Sequence, residues 1–308
     1  MPRILIFLDY YIPGFRSGGP VRTIANMVGH LDREFDFWIV TRDRDAEEAS
    51  PYEKIKVDAW NNVANTKVYY MSPTSMSWAD LKRRVEEVQP DIIYLNSLFS
   101  TLSIKVLTLR RLGHLPKAKV VLAPRGEFSP GALQIKWLKK RLFLAVAPPF
   151  GLYRGVIWQA SSKREEREIR NRCRHATHIE VAPNIPSTDS SHSRSRPALV
   201  KKRGEARFVF LSRVSQKKGL LDAITLLNRV EGSVLFDIYG PIRSDSYWQD
   251  CRKAIDNCSR AEVRYKFAIS PEEVPRILQE YHFFILPTWG RILVTPFLKR
   301  CSRAVRLS

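Results

Sequence analysis

Short apolar runs that each give way to a helical pattern recur along this chain, on both sides of one polar stretch. No other feature constrains its fold as much. Residues 4–8, 35–41, 68–71, 91–96, 119–123 and 155–160 are such runs, bulky and largely continuous. Strands covered on both faces of a parallel sheet read this way. Between them lie helical patterns: Val21, Ile24, Ala25, Val28 and Leu31 share one face, and residues 78–88 form a helix stopped by Pro90. The polar stretch, residues 187–203, is rich in serine and charge and reads as a domain boundary. Beyond it, strands are expected at 208–211, 234–240, 263–267 and 283–288. Helices follow Gly219, cover 247–258, and start at Ser270-Pro271-Glu272-Glu273, an N-cap with proline at the first helical position. The expectation is an α/β chain of two doubly wound domains facing a cleft, residues 1–186 and 205–290, joined by a linker at 187–204 and trailed by a basic tail at 291–308.

Charge narrows the partners. The 308 residues carry 51 lysines and arginines against 31 acids, a net charge of +20, which favours anionic ligands or surfaces. Nucleic acid fits that sign, but no recognition helix or aromatic-basic strand motif accompanies it. Cys173, Cys251, Cys258 and Cys301 lie too far apart for a zinc signature and read as free thiols. No apolar stretch reaches the ~20 residues that span a bilayer. The start, MPRILIFLDYY, suits a first strand and not a signal peptide. A cytoplasmic protein, peripheral at most to the inner face of the membrane, is expected.

Several places offer chemistry. After the strand at 208–211, Ser212 to Gly219 turns into a helix and carries Arg213 and, five residues on, Lys218. A guanidinium, an ammonium and the N–H groups of a helix start converge there, as at an anion site. A basic surface loop would look the same. Gly18-Gly19 after the first strand would let a ligand approach the backbone. Asn96 ends one strand and Arg125 follows another, at the sheet end that faces a ligand crevice. Arg125 fits an anionic substrate or an ion pair with Glu127 equally well. Residues 131–146 are amphipathic, with Ile135, Leu138, Leu142 and Ala145 on one stripe and Lys136, Lys139 and Lys140 on another. That pattern suits a core face opposite a solvated one. Docking on an anionic membrane, with Trp137 at its boundary, is the other reading. His175, His178 and Glu180 are not expected to bind metal, since 179–181 reads as a strand.

These features together resemble the retaining, nucleotide-sugar-dependent glycosyltransferases of the GT-B fold that carry an E-x7-E motif (family 4 type). The likeness runs from Met1 to about Gly290. It rests on the glycine loop at Gly18-Gly19, Pro-Asn-Ile-Pro at 183–186, and the Ser-Arg-x4-Lys-Gly loop at 212–219. Tyr239-Gly240-Pro241 and the Ser-Pro-Glu-Glu-Val at 270–274 before FFILPT add to it. The resemblance implies that Arg213, Lys218 and Gly219 bind the donor's diphosphate. Gly18, Gly19, Asn96, Arg125 and Gly240 would line the cleft, and the first domain would hold a glycan or lipid-linked acceptor. It implies no cofactor and no metal. Many relatives have histidine after the Pro-Asp-Ile-Ile strand where this chain has Tyr94-Leu95-Asn96, and the resemblance does not say what Asn96 does in its place.

The likeness stops at Gly290. Where the family continues with two glutamates, this chain has Arg291 and Lys299 within RILVTPFLKRCSRAVRLS. Joining the last base of each codon to the first two of the next, from Gly290 onward, permits Glu-Asn-Phe-Gly-His-Ser-Phe-Leu-Glu-Ala-Leu, an E-x7-E stretch. A frameshift or sequence error at that codon is therefore expected. The second domain would then be incomplete, with apolar surface and a sheet edge exposed and transfer activity impaired.

Overall fold

The structure, a computed structural model, describes residues 1–16, 19–46, 48–134, 137–173, 176–185, 202–242, 244–269, 273–288, 291–296 and 305–306. The chain divides into two compact units, Met1–Thr188 and Asp189–Ser308. The expected linker at 187–204 lies almost wholly outside the described residues.

Unit 1 is built on eight strands: β1 (Arg3–Phe7), β2 (Asp36–Arg42), β3 (Trp60–Val63), β4 (Thr66–Met71), β5 (Ile92–Asn96), β6 (Lys119–Ala123), β7 (Val156–Ala160) and β8 (His178–Val181). They lie in the order β3-β4-β2-β1-β5-β6-β7-β8, all parallel except β3 against β4. Helices α1 (Gly19–Leu31), α2 (Trp78–Val88), α3 (Thr101–Arg111), α4 (Pro130–Gln134), α5 (Trp137–Val146) and α6 (Lys163–Arg172) connect them.

Successive side chains of β1 show why its run is unbroken. Leu5 and Phe7 enter one core with Leu81 and Val85 of α2, Leu102 and Val106 of α3, and Trp158. Ile6 enters the opposite core with Val21, Ile24 and Val28 of α1. Both faces are covered, so both need apolar residues. At the start of α2, Ser77 accepts from the Asp80 N–H while Asp80 reaches back to the Ser77 N–H; the helix ends at Gln89, whose φ of 48° is left-handed.

Unit 2 holds β9 (Glu205–Leu211), β10 (Ser233–Tyr239), β11 (Ala261–Tyr265), β12 (Phe283–Thr288), β13 (Arg291–Pro296) and β14 (Val305–Arg306), with α7 (Leu220–Leu227), α8 (Asp245–Asp256) and α9 (Val274–Leu278). The order is β11-β10-β9-β12-β13-β14. The first four run parallel, and β13 and β14 are antiparallel to their neighbours. The chain is thus an α/β protein with doubly wound, largely parallel sheets, as its periodicity predicts.

Two expectations change. The free edge expected on β12 is paired: Arg291–Pro296, a β-branched and apolar run, folds back on it with Thr288 opposite Arg291. The helix at 131–146 does not turn Leu138 and Leu142 to the core, where they are 64% and 66% exposed. Phe143 and Leu144 pack inward instead, Phe143 meeting the Phe99 ring edge-on at 5.8 Å. Ile135 falls outside the described residues. Two elements, α3 and the short edge strand β3, are not anticipated by the sequence pattern. The N-cap read at 270–272 is outside the described residues, and α9 begins at Val274. The described cysteines, Cys173, Cys251 and Cys258, are free thiols.

Candidate functional site

In unit 1 the carboxyl ends of β1, β5 and β6 surround a cavity of about 210 Å³ lined by Asp9, Tyr10, Asn96, Ser97, Arg125 and Glu127, among others. Arg125 follows β6 in a left-handed conformation, φ 56°, unusual for a side chain of this size. Its Nε and Nη2 donate to Asn96 Oδ1 at 3.0 and 2.7 Å, Nη2 to the Tyr94 hydroxyl at 2.8 Å, and Nη1 to Asn184 Oδ1 at 2.9 Å. The Tyr94 hydroxyl in turn donates to Gln159 Oε1. All these acceptors are neutral, and no carboxylate pairs with the guanidinium among the described residues. The charge of Arg125 therefore remains for a ligand. Asn96 is 2% exposed, and its Nδ2 meets no partner among the described residues. A buried amide N–H without an acceptor is costly unless a ligand or water supplies one.

The ion pair between Arg125 and Glu127 that the sequence left open does not form. Glu127 accepts instead from Ser97 Oγ at 2.7 Å and from the N–H groups of Leu98 at 2.6 Å and Phe99 at 3.3 Å, ahead of α3. Burial pushes its carboxyl above the ordinary 4.5, against those three bonds and the charge of Lys140. A carboxyl raised in the folded state contributes stability that is present below 4.5 and lost as pH rises through the raised value. Acidifying from neutrality towards 4.5 is thus expected to stabilise unit 1 through this group. Glu127→Gln should flatten that part of the melting-midpoint-against-pH curve; an unchanged slope would assign it elsewhere.

In unit 2 the loop after β9 is pinned by its backbone. The Ser212 N–H donates to Tyr239 O at 3.0 Å and the Val214 N–H to Pro241 O at 2.9 Å. Gly240, φ 141°, sits so close that a Cβ there would lie 2.0 Å from Ser212 O. Gln216–Lys218 make a 3-10 turn, and Gly219, φ 67°, starts α7 with room for no Cβ: Pro287 O would be 1.9 Å away. Burial, then the charges of Arg213 and Lys217, lower the Lys218 ammonium below its ordinary value. Lys218 has no acidic partner among the described residues. Neighbouring cations held together in this way lose their mutual repulsion when an anion binds.

The residues singled out in the sequence thus fall into two groups, each within one unit. Asn96 and Arg125 share the unit 1 cavity. Gly19 opens α1 beside two residues of the cavity lining, Pro20 and Val21, and a Cβ added there would meet nothing within 4 Å. Gly18 is outside the described residues. Arg213, Lys218, Gly219 and Gly240 form the unit 2 loop. Arg291 lies on β13, and Lys299 is outside the described residues. Tyr94 and Gln159 are not marked by any motif; the alternation of Tyr94 and Asn96 on β5, both near Arg125, is the signal that could have found Tyr94. His178 Nε2 pairs with Glu180 Oε1 at 2.9 Å on an exposed face, and no group of three potential metal ligands occurs among the described residues.

No protein-family model matches the chain, and no curated protein does. Solved structures do. HepE from Anabaena, in complex with UDP and glucose, is 12% identical with a TM-score of 0.66, covering 94% of this chain and 75% of its own. The apo form of WaaB, a lipopolysaccharide outer core galactosyltransferase, is 15% identical with a TM-score of 0.54, over 94% and 74%. Apo OtsA is 10% identical with a TM-score of 0.57, over 94% and 78%. The chain therefore has the Rossmann-like α/β fold of GT-B glycosyltransferases.

Proposed function

We propose that the chain is a glycosyltransferase of polysaccharide or lipopolysaccharide assembly, moving a hexose-type sugar, with retention, from a nucleotide-diphosphate donor to a glycan or lipid-linked acceptor. In this reading Arg213, Lys218 and the backbone at Gly219 hold the donor's diphosphate, and the Asn96–Arg125 cavity belongs to the acceptor side. The observation that carries it is the strand-to-helix turn itself, where half-buried Lys218 precedes Gly219, which is seated against Pro287 O at the start of α7. HepE, of like fold, was solved with UDP and glucose. As the bond to the diphosphate breaks, charge grows on the leaving group, and cations already in place stabilise it. Neither metal nor cofactor has a part in the proposal.

A second reading has its own support. Arg291 stands where the resemblance puts a glutamate, and β13 forms a hairpin with β12 there. The chain would then bind nucleotide sugar or acceptor without turnover. Titration calorimetry with UDP, GDP and their sugar conjugates tests both. Saturable binding is expected, weakened at least about tenfold in Arg213→Ala, as for one charge-assisted contact. No binding to any nucleotide would refute the donor site. Binding without release of sugar, assayed on the same samples, would leave the second reading.

A further inference from the structure

Helix α5 buries none of its residues among those described. Along it Trp137, Leu138, Leu142 and Val146 are 56%, 64%, 66% and 59% exposed, and Phe150 in the following turn is 51% exposed. Leu138, Leu142 and Val146 succeed one another at intervals of four and form one stripe. Helical spacing sets Lys139 to one side of that stripe and Arg141 to the other, both exposed. A scattered exposed leucine is ordinary, but three large apolar groups in one stripe, with Trp137 exposed on the adjoining side of the helix and Phe150 in the turn after it, are more than scatter.

The charge around the patch says which surface. From residue 92 to 164 the chain has thirteen lysines and arginines and a single acid, Glu127. That acid is turned inward onto Ser97 and the Leu98 and Phe99 amides. Arg111, at the end of α3, lies over the Phe150 ring at 5.8 Å, which places another cation at the patch. Beside α5 runs a groove of about 530 Å³ lined by Trp137, Lys140, Arg141, Leu144 and Arg172, among others. An exposed apolar stripe flanked by cations matches the boundary between headgroups and acyl chains of an anionic bilayer. The acids that follow on α6 are already engaged: Glu165 is buried, Glu166 pairs with Arg170 and Glu168 with Arg164. No helix among the described residues is long and apolar enough to cross a membrane. We propose that α5 lies in the plane of an anionic phospholipid surface, its Leu138–Leu142–Val146 stripe among the acyl chains and Lys139, Arg141 and Arg111 at the phosphates.

Sedimentation of the full chain with vesicles tests this. Vesicles of phosphatidylcholine and phosphatidylglycerol in equal amounts should carry the protein down. Phosphatidylcholine alone should bind it at least about tenfold more weakly, since each cation near the surface adds to the anionic preference. A chain with both Leu138→Ser and Leu142→Ser should lose about tenfold or more on the mixed vesicles. Lys139→Glu with Arg141→Glu should lose a similar factor and weaken the dependence on salt. All four positions are exposed, so circular dichroism and nucleotide titration should match the parent. Equal binding to neutral vesicles, binding to neither kind, or a double-serine chain that binds like the parent would each overturn the proposal. So would a dimer on sizing that dissociates with the serine substitutions, which would make a second copy the occupant. Vesicle binding and nucleotide binding are read separately, so failure of this assignment is distinct from failure of the transferase reading.

Discussion

Replacing Gly219 with alanine is expected to remove about 3 kcal/mol from the stability of unit 2, and nucleotide binding with it. Two costs act at one atom. At φ 67° a side chain meets the steric penalty of the left-handed region, about 1 kcal/mol for alanine. The new Cβ would also lie 1.9 Å from the carbonyl oxygen of Pro287, which belongs to β12 and cannot swing aside as a side chain can. Either α7 lifts from the sheet or β12 shifts. Both displace Lys218, the residue before, so the loop should lose its anion site even where the unit stays folded. Hydrogen exchange of the α7 and β12 amides in the full chain reads the effect locally. Gly204→Ala is the control: φ there is 85°, but nothing lies within 4 Å of the added carbon. It should cost about 1 kcal/mol, the conformational part alone. Equal protection losses in the two variants would show that the contact with Pro287 yields easily.

In unit 1 the largest single effect is expected from Arg125→Ala, about 3 kcal/mol. The guanidinium gives up donors to Asn96, Asn184 and the Tyr94 hydroxyl at once. Asn96 is buried and already has an unpartnered Nδ2, so the substitution leaves both ends of its amide unsatisfied. Arg125→Lys keeps the charge but offers one point in place of a fork, and is expected to recover less than half of the loss. Chemical denaturation of the full chain, with exchange protection of β5 and β6 as the local readout, measures both. A lysine variant as stable as the parent would mean that charge, and not the fork, holds the cavity together.

Strand positions are plain in the sequence because both faces of the central strands are covered: an unbroken apolar run such as 119–123 leaves a reader little choice. Helix α2 is as plain, for Ser77, Asp80 and Pro90 mark its ends chemically. Helix α3 is hidden, although Ser100 caps it and Leu102, Val106 and Leu109 share a buried stripe, because Ile104 and Leu107 lie off that stripe and Arg110 beside it. Facing is the harder matter. Nothing local tells whether Leu138 and Leu142 or Phe143 and Leu144 will turn inward, since that depends on Phe99, more than thirty residues earlier. The unit 1 cavity shows the same limit. Asn96 and Arg125 are visible as polar residues at strand ends, but their bond to each other and to Asn184 joins segments that only the sheet brings together. The loop at 212–219 is legible because its chemistry is consecutive.

The last described residues of unit 1 are moored from three sides. The Ala182 N–H donates to Ala160 O on β7, Asn184 accepts from Arg125, and Asn26 of α1 donates to Ile185 O. Tension on the chain at Ile185 is therefore not spent on peeling β8 from the sheet's edge. It enters α1 directly, and through Asn184 and Arg125 it arrives at Asn96 after two hydrogen bonds. The cavity thus lies two hydrogen bonds from Asn184, among the last described residues of its unit, and α1 lies one from Ile185.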